Sequence, residues 1–364
     1  MGKEEFNMEY LQDLLAAIGV VINGVPQGIL ALSLGFAAFP TAVAFGFSAI
    51  ANSVTGSVAP ISFQVESITV AGALGGNKRE RLSIIVWAAV IMTVVGLFGW
   101  MNTLVDFMGT DITSGMMAGV GFILARTAIR MTQTNTDVGW LSMVVAVLVY
   151  IFSKDLVYTI LLSVVISTLY SVYYKKATIE LPEGVDSQKL TFVKPMFTGR
   201  ILRGALALAC LNIGSNISFG MITGSMTGSD VNPVNIDVLT VVSSVADLIS
   251  SIFGGAPLES IISATGSAPH PVFSGVLMMT IMAIILATGL LPKMGRYIPT
   301  ESIAGFLFVL GAFVTVSGNI QPAVAENPAV GSVTMVVTAL FDPFFGMLAG
   351  LVIKFILPIL GVSL

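Results

Sequence analysis

Two short stretches, far apart in the chain, begin with the same Ala-Pro pair: residues 59–68 read APISFQVESI and residues 256–261 read APLESI. Proline lacks an N–H and disfavours helix at the residue before it, so each stretch is predicted to begin extended and to become helical afterwards. Each stretch also carries an acid, Glu66 in the first and Glu259 in the second. These two features shape the interpretation of the whole chain.

The composition around these stretches is strongly apolar. Of 364 residues, 55% are hydrophobic and only 10% are charged, and the mean hydropathy is +0.94. A soluble fold could not hide this much apolar surface from water, which excludes a soluble enzyme, a nucleic-acid-binding protein and a disordered chain. A single cysteine, Cys210, and a single histidine, His270, exclude an internal disulfide, a cysteine metal cluster and any site with two imidazoles. We expect neither a metal site nor a cofactor.

Apolar segments alternate with polar connections along the whole chain, and a segment of about 20 apolar residues suffices to cross a bilayer. We predict an all-α polytopic membrane protein with about 14 spans, formed by residues 1–173 and 200–364 around a polar linker, residues 174–199. The segments lie near residues 11–33, 37–51, 59–75, 82–105, 113–129, 138–153 and 155–173, and then near 200–222, 236–253, 257–268, 271–291, 300–318, 329–340 and 342–361.

The basic residues support this number of spans. If every segment crosses, 13 of the 16 Lys and Arg residues fall on one side of the membrane. The positive-inside rule then places that side, with the linker, in the cytoplasm and both termini outside. The majority side holds Lys78, Arg79, Arg81, Arg126, Arg130, Lys175, Lys176, Lys189, Lys194, Arg200, Arg203, Lys293 and Arg296, and the other side Lys3, Lys154 and Lys354.

The two halves also resemble each other in sequence. Met-Gly at 108–109, Ala-Gly at 118–119, Phe122 and Leu124 recur 186 residues later, at 294–295, 304–305, Phe308 and Leu310. The two Ala-Pro stretches are each the third segment of their half. Because each half has an odd number of spans, the second copy crosses the membrane in the opposite orientation to the first. This is the inverted-repeat arrangement of secondary transporters.

The third and tenth spans are therefore predicted to be discontinuous and to hold the substrate site. Broken backbone at membrane depth is tolerated only where it lines a cavity, and the positive ends of two half-helices would point into that cavity. A charge near the bilayer centre is costly, so Glu66 and Glu259 are expected to face substrate donors or carry a coupling ion, H⁺ or Na⁺, rather than face lipid. A surface position or a structural ion pair is the alternative. For Gln64, substrate contact and helix packing are equally open.

Residues 246–257, reading ADLISSIFGGAP, with Gly266, resemble the signature of the nucleobase–cation symporters, the xanthine/uracil permease family. Ile298-Pro299 with Gly305 and Gly311 resembles that family's twelfth span. The resemblance implies a core of spans 1–4 and 8–11 (11–105 with 200–291), a gate of spans 5–7 and 12–14 (113–173 with 300–361), and often a homodimer. The sulfate-permease and bicarbonate-transporter families share this fold.

The same resemblance points to further substrate contacts, with departures from the family pattern. The family's tenth-span acid falls on Ser263, so Glu259 would act from one helical turn away, and Glu259-Ser260 replaces the family's Thr pair. The eighth span offers Asn212 and Asn216 instead of an acid, and the first span offers Asn23 and Gln27, for which function and packing are equally open. Family members also keep both termini in the cytoplasm, unlike the orientation that the charges predict.

The favoured function is a secondary transporter, not an enzyme, that moves a small polar or planar, nucleobase-like solute by alternating access, coupled to H⁺ or Na⁺. The alternative is an anion transporter, or a channel or facilitator, of the sulfate-permease-like fold. Two acids in the site argue against a bare anion, since like charges repel unless protonated. The expected partners are a small solute, the lipid bilayer and a second copy of the chain, and the expected location is a plasma membrane of the bacterial inner-membrane type.

Overall fold

The computed structural model describes residues 3–174, 190–229 and 233–359, and these residues form a bundle of helices with two very short strands. Eight helices are long and apolar enough to cross a membrane, by length and composition. Shorter apolar helices and two broken segments supply the other spans. The prediction of an all-α polytopic protein is confirmed.

The first half follows the predicted order of segments, and its third span is interrupted. Its elements are α1 (Lys3–Ser33), α2 (Ala38–Thr55), β1 (Ile61–Ser62), α3 (Val65–Leu74), α4 (Lys78–Leu97), α5 (Trp100–Thr134), α6 (Thr136–Ser153) and α7 (Leu156–Tyr173).

The second half repeats this order. Its elements are α8 (Gly199–Ser225), α9 (Ile236–Ile252), β2 (Glu259–Ser260), a 3₁₀ turn (Ala264–Ser267), α10 (Pro271–Ala287), α11 (Leu291–Gly295), a composite twelfth span (Thr300–Ala323), α14 (Pro328–Leu340) and α15 (Pro343–Ile359). The composite span joins a 3₁₀ turn (Thr300–Ile303), α12 (Ala304–Phe308), a π-helix (Val309–Val316) and α13 (Ser317–Ala323).

A glycine marks the equivalent point of the two halves. Gly109 has φ 76° and ψ 177°, which divides α5 into a leading helix and the fifth span proper. In the second half, α11 ends at Gly295, 186 residues later, before the twelfth span begins. The sequence repeat therefore joins structurally equivalent positions. Lys354 of α15 secures the first break, since its Nζ donates to the carbonyls of Phe107 (3.1 Å) and Met108 (2.9 Å).

The third and tenth spans are both discontinuous, as predicted, but they differ in length. After β1 the chain forms the ten-residue helix α3, whereas after β2 it forms only the four-residue 3₁₀ turn. The helical continuation expected for the tenth span is therefore wrong beyond one turn. The prolines at 269 and 271 account for this, because neither can donate a helical N–H and both restrict the residue before them.

The spans pack in two groups. Helix α4 packs on α9 and α8, and α2 packs on α10, which unites spans 1–4 with 8–11. Helix α5 packs on α14 and on the twelfth span, and α6 packs on α7, which unites spans 5–7 with 12–14. Contacts between the groups are fewer and run mainly through α1 with α7, and through α8 with α5 and α15. The core-plus-gate arrangement follows from this packing.

The basic residues gather at one end of the bundle. Arg79 donates to the carbonyl of Lys194 (3.0 Å), and Arg200 lies 3.9 Å from Glu80. Arg81 donates to the carbonyl of Leu34 (2.7 Å). These contacts join the first turn of α4 to the loop after α1, to the segment before α8 and to the first turn of α8, and we call this the cation-rich end. The predicted cytoplasmic side of that end stays a prediction.

Candidate functional site

The two breaks meet in the middle of the bundle as a two-stranded antiparallel pair. Ile61 pairs with Ser260, and Ser62 pairs with Glu259. Counted from Pro60 and Pro257, Ser62 and Glu259 are both the second residue after the proline. The pseudo-twofold axis of the inverted repeat therefore passes between equivalent positions, and the two extended segments lie side by side because each proline-led start is free of helix.

Helix α3 points its N-terminus at this crossing. Gln64 stands immediately before the helix in extended backbone, and its side chain does not cap the helix. The first helical bond runs from the N–H of Ile68 to the carbonyl of Gln64 (3.1 Å), so the N–H groups of residues 65–67 have no helical acceptor. Together with the helix dipole, these N–H groups make a positive end that favours an anion.

A cavity of about 560 Å³ lies between the two groups of spans beside this crossing. Among the described residues that line it, none carries a charge. Its polar lining consists of amides and hydroxyls, and its apolar lining includes two aromatic rings, those of Phe63 and Phe219. The polar residues are Asn23, Gln27, Ser62, Gln64, Thr127 and Thr300.

Two of the polar lining groups lack a partner among the described residues. The Nε2 of Gln64 and the Oδ1 of Asn23 are both buried and make no hydrogen bond there. Gln64 is only 3% exposed, and its other amide atom, Oε1, accepts a hydrogen bond from Ser67 (2.6 Å). An unpaired buried donor costs free energy of the order of 1–3 kcal/mol, so the Nε2 is suited to meet a ligand atom in the cavity.

The cavity extends toward the cation-rich end. Its lining comes from the second half of α1, the last third of α5 and the start of the twelfth span, and these parts all lie toward that end. On the other side, Met117 and Val120 of α5 pack against Ile222 of α8 in a separate apolar cluster, which Phe219 and Ile262 also contact. This cluster closes the cavity toward the opposite end.

Eight of the nine predicted substrate residues, all but Glu66, divide into two sets. Asn23, Gln27 and Gln64 line the cavity. Residues Asn212, Asn216, Glu259, Ser260 and Ser263 are buried, and none of the five is among the lining residues.

The second set of residues is engaged in hydrogen bonds within the protein. Ser260 donates to Asn216 (2.8 Å), which in turn donates to Thr240 (3.3 Å), and the Ser263 hydroxyl lies 2.7 Å from that of Thr265. The amide of Asn212 donates to the carboxyl of Glu259. These bonds between side chains hold the second set behind the extended segments, away from the cavity.

Glu66 and Glu259, which the sequence analysis considers as a pair, occupy different local structures. Glu259 lies in β2, two residues after its proline, whereas Glu66 lies in α3, six residues after its proline. The side chain of Glu66 lies outside the described part of the structure. The shared Glu-Ser-Ile letters therefore do not mark equivalent positions, and the coupling role of both acids stays a prediction.

Asp247 and His270 each bond to a neighbouring segment of the chain. The carboxylate of Asp247 accepts from the N–H of Leu258 (2.6 Å), which caps the backbone break before β2. His270 precedes α10, and its Nδ1 lies 2.8 Å from Asp13 of α1, an acid that the sequence analysis did not single out. Asp13 is one of four acids in the first helix, and nothing in the sequence marked it as the partner of His270. Ser62, Thr127 and Thr300 of the cavity lining also carried no sequence signal.

Comparison with solved structures supports the fold. The transmembrane domain of the cyanobacterial bicarbonate transporter BicA is similar to this chain. Its TM-score is 0.61 at 16% identity, and the match covers 94% of this chain and 97% of that domain.

Two structures of SLC26A9 are similar as well. One has a TM-score of 0.60 at 13% identity over 98% of this chain and 66% of that chain. The other is murine Slc26a9, an anion transporter in the inward-facing state, with a TM-score of 0.61 at 15% identity over 97% and 69%. This chain thus spans about two thirds of their length.

These similarities establish the seven-plus-seven inverted-repeat fold and do not support the nucleobase–cation symporter family. No protein-family model matches the chain, and no curated protein matches it in sequence. At these levels of identity the likeness concerns the fold alone, and the function is argued from the site.

Proposed function

We propose that this protein is a membrane transporter of a small anion, and that the anion binds at the N-terminus of α3 beside Gln64. The observation that carries the proposal is the unpartnered Nε2 of Gln64, buried at the positive end of a ten-residue helix that faces the cavity. A donor amide and free helical N–H groups bind an acceptor without a cationic side chain. The similar folds named above are those of a bicarbonate transporter and an anion transporter, and they support the same interpretation.

The position of Glu259 removes one objection to an anion. Two acids in the substrate site would repel a bare anion, but Glu259 is 1% exposed and is not among the cavity-lining residues. It is engaged by Asn212 instead. The described lining of the cavity is thus neutral, and its positive field comes from the helix end.

Alternating access is the proposed mechanism. The cavity extends to the cation-rich end, and the cluster of Met117, Val120 and Ile222 closes the opposite end. Movement of the core group against the gate group would open this cluster and close the other side, carrying the α3 site past the gate. We propose that the protein lies in a plasma membrane and forms a homodimer there. A channel or facilitator mode is the alternative to coupled transport.

A planar, nucleobase-like solute is the second candidate. Phe63 and Phe219 both line the cavity, and the amides of Asn23, Gln27 and Gln64 could donate to and accept from a heterocycle. A volume of about 560 Å³ also exceeds what a small inorganic anion occupies. Aromatic faces beside amides are the observation that favours this candidate.

One binding screen separates the two candidates. Purified protein is heated with bicarbonate, chloride, sulfate, uracil or xanthine, and the midpoint of thermal unfolding is measured. A ligand at 100 times its dissociation constant stabilises the folded state by about 2.7 kcal/mol. Stabilisation by an anion, followed by uptake of that anion into proteoliposomes, supports the proposal. Stabilisation by a nucleobase alone would replace it with the second candidate.

A further inference from the structure

A continuous series of polar contacts runs from the cavity into the core group of helices. The hydroxyl of Ser67 in α3 donates to Oε1 of Gln64 (2.6 Å) and also lies 3.4 Å from Oδ1 of Asn212 in α8. The amide of Asn212 donates to the carboxyl of Glu259 in β2. The carboxyl of Glu259 lies beside that of Asp247 in α9, which accepts the N–H of Leu258, the residue before Glu259 (2.6 Å).

We call this series of five residues the polar relay, and all five side chains are buried. Ser67 is 0% exposed, Asp247 and Glu259 are 1% exposed, and Gln64 and Asn212 are 3% exposed. Water therefore does not compete for these bonds, and each amide has a preferred orientation set by its neighbours.

The polar relay has a direction because two carboxyls hydrogen-bond to each other only when one of them carries a proton. Each carboxyl also accepts one N–H, Asp247 from Leu258 and Glu259 from Asn212, so the proton lies between their remaining oxygens. The carbonyl oxygen of Glu259 then accepts from the NH₂ of Asn212, and the carbonyl of Asn212 faces Ser67. The single hydrogen of the Ser67 hydroxyl binds Oε1 of Gln64, which leaves the Gln64 NH₂ directed at the cavity.

We propose that Ser67 and Asn212 are positioning residues that hold the donor side of the Gln64 amide toward the solute, and that the proton shared by Asp247 and Glu259 maintains this orientation. The inference rests on the proposed anion site at Gln64. Loss of the proton leaves two adjacent buried carboxylates, and their repulsion displaces Glu259 from its place beside Asp247 and moves the acceptor of the Asn212 amide with it. Anion binding and proton binding are thereby linked in the same direction.

The surroundings leave this pair as the titrating unit. Each acid is the ionisable neighbour that acts on the other among the described residues. Helix α2 carries no ionisable residue, and Glu66 of α3 has a side chain outside the described part. The elements packed around the pair carry further ionisable residues, none of which acts on either acid. They are Lys78, Arg79, Glu80 and Arg81 of α4, Asp106, Asp111, Arg126 and Arg130 of α5, Arg200, Arg203 and Cys210 of α8, and Asp237 of α9.

The first test measures anion affinity against pH in the full-length protein. The probe is whichever of bicarbonate, chloride and sulfate stabilises the wild type, followed by titration calorimetry at constant ionic strength. Wild-type affinity should rise as pH falls, by up to about tenfold per pH unit while one proton is linked. Glu259→Gln presents the same pattern as the protonated acid, with a carbonyl toward Asn212 and an NH₂ toward Asp247. We expect this variant to bind the anion with no pH dependence.

Ser67 supplies the positioning test. Ser67→Ala removes the bond that orients Gln64, and we expect roughly fivefold weaker anion binding at the pH of tightest wild-type binding. Ser67→Thr retains the hydroxyl and should restore the affinity. Ser48→Ala is the matched control, because the Ser48 hydroxyl is equally buried but bonds only within α2.

An infrared measurement tests the proton without any ligand. The wild type should show the C=O band of a buried protonated carboxyl, and Glu259→Gln and Asp247→Asn should each lack it. If Glu259→Gln does not fold, Asp247→Asn alone tests whether the band belongs to this pair of acids. The inference is overturned if the wild type lacks this band, if Glu259→Gln keeps the wild-type pH profile, or if Ser67→Ala binds like the wild type. If the wild type binds none of the three anions, the proposed function itself fails and the inference fails with it.

Discussion

The replacement Gln64→Glu tests the proposed anion site with the smallest change in shape. The variant exchanges the Nε2 donor for an oxygen and leaves Oε1 in place, so Ser67 can still donate to it. The helix α3 should form as before, because the Gln64 side chain makes no capping bond. The change therefore affects the chemistry presented to the cavity rather than the fold.

The expected loss follows from the burial of Gln64 at 3% exposure. A hydrogen bond to a charged partner contributes about 1.5–3 kcal/mol, and each 1.4 kcal/mol is a factor of ten in affinity. Removing the donor should thus weaken anion binding by roughly 10- to 150-fold. An ionised carboxylate at the same place would add repulsion and increase the loss.

The assay is the anion dissociation constant of purified protein, with initial uptake rates in proteoliposomes alongside. Gln321→Glu provides the same chemical change at an exposed position of α13 and should leave both values at the wild-type level. An affinity within twofold of the wild type for Gln64→Glu would refute the proposal that Nε2 holds the anion. Equal losses in both variants would point to a general effect of the added charge instead.

Four further measurements address coupling, access, topology and packing. Glu66→Gln and Glu259→Gln should each abolish uptake driven by a pH or Na⁺ gradient with expression intact, and wild-type uptake would remove that acid from coupling. In a Cys210→Ala background, a cysteine replacing Thr300 should react with a polar thiol reagent added at the cation-rich end, and one replacing Met117 should not. Cysteines at the N-terminus and at residue 187 should be labelled from opposite sides, with residue 187 cytoplasmic; cytoplasmic labelling of the N-terminus would overturn the charge argument. Gly119→Ala should lower the free energy of unfolding by about 1–3 kcal/mol, because its Cβ would overlap the side chain of Thr338. Gly46→Ala is the control, because its Cβ would meet nothing within 4 Å, and its midpoint of thermal unfolding should equal that of the wild type.

The span pattern was predictable from sequence because a bilayer imposes a length and a composition on every segment that crosses it. The Ala-Pro pairs at 59–60 and 256–257 located both backbone breaks, since proline restricts its neighbours in any surroundings. The repeat at Gly109 and Gly295 marked equivalent positions because it reflects a duplicated unit. These are local or periodic signals, and the structure agrees with them.

The details of the site were less predictable because they depend on which side chains meet across the bundle. Gln64 and Glu259 are both polar residues in broken segments, yet one lines the cavity and the other is held by Asn212 behind it. The partner of His270 is Asp13, 257 residues earlier in the chain. Contacts across such distances are set by helix packing, and no local pattern reports them.

The two copies of the inverted repeat contribute different groups to the two sides of the site. The pseudo-twofold axis relates Ser62 to Glu259, so a hydroxyl in one copy stands where an acid stands in the other. The first copy continues into α3 and offers a helix end of ten residues with Gln64 before it, whereas the second continues into a four-residue turn. Only the first copy thus supplies a strong positive end to the cavity, while the second supplies the acid that meets Asp247. The two copies therefore share one backbone arrangement at the break but differ in side chains. In the function proposed here, the first copy binds the solute and the second binds the proton.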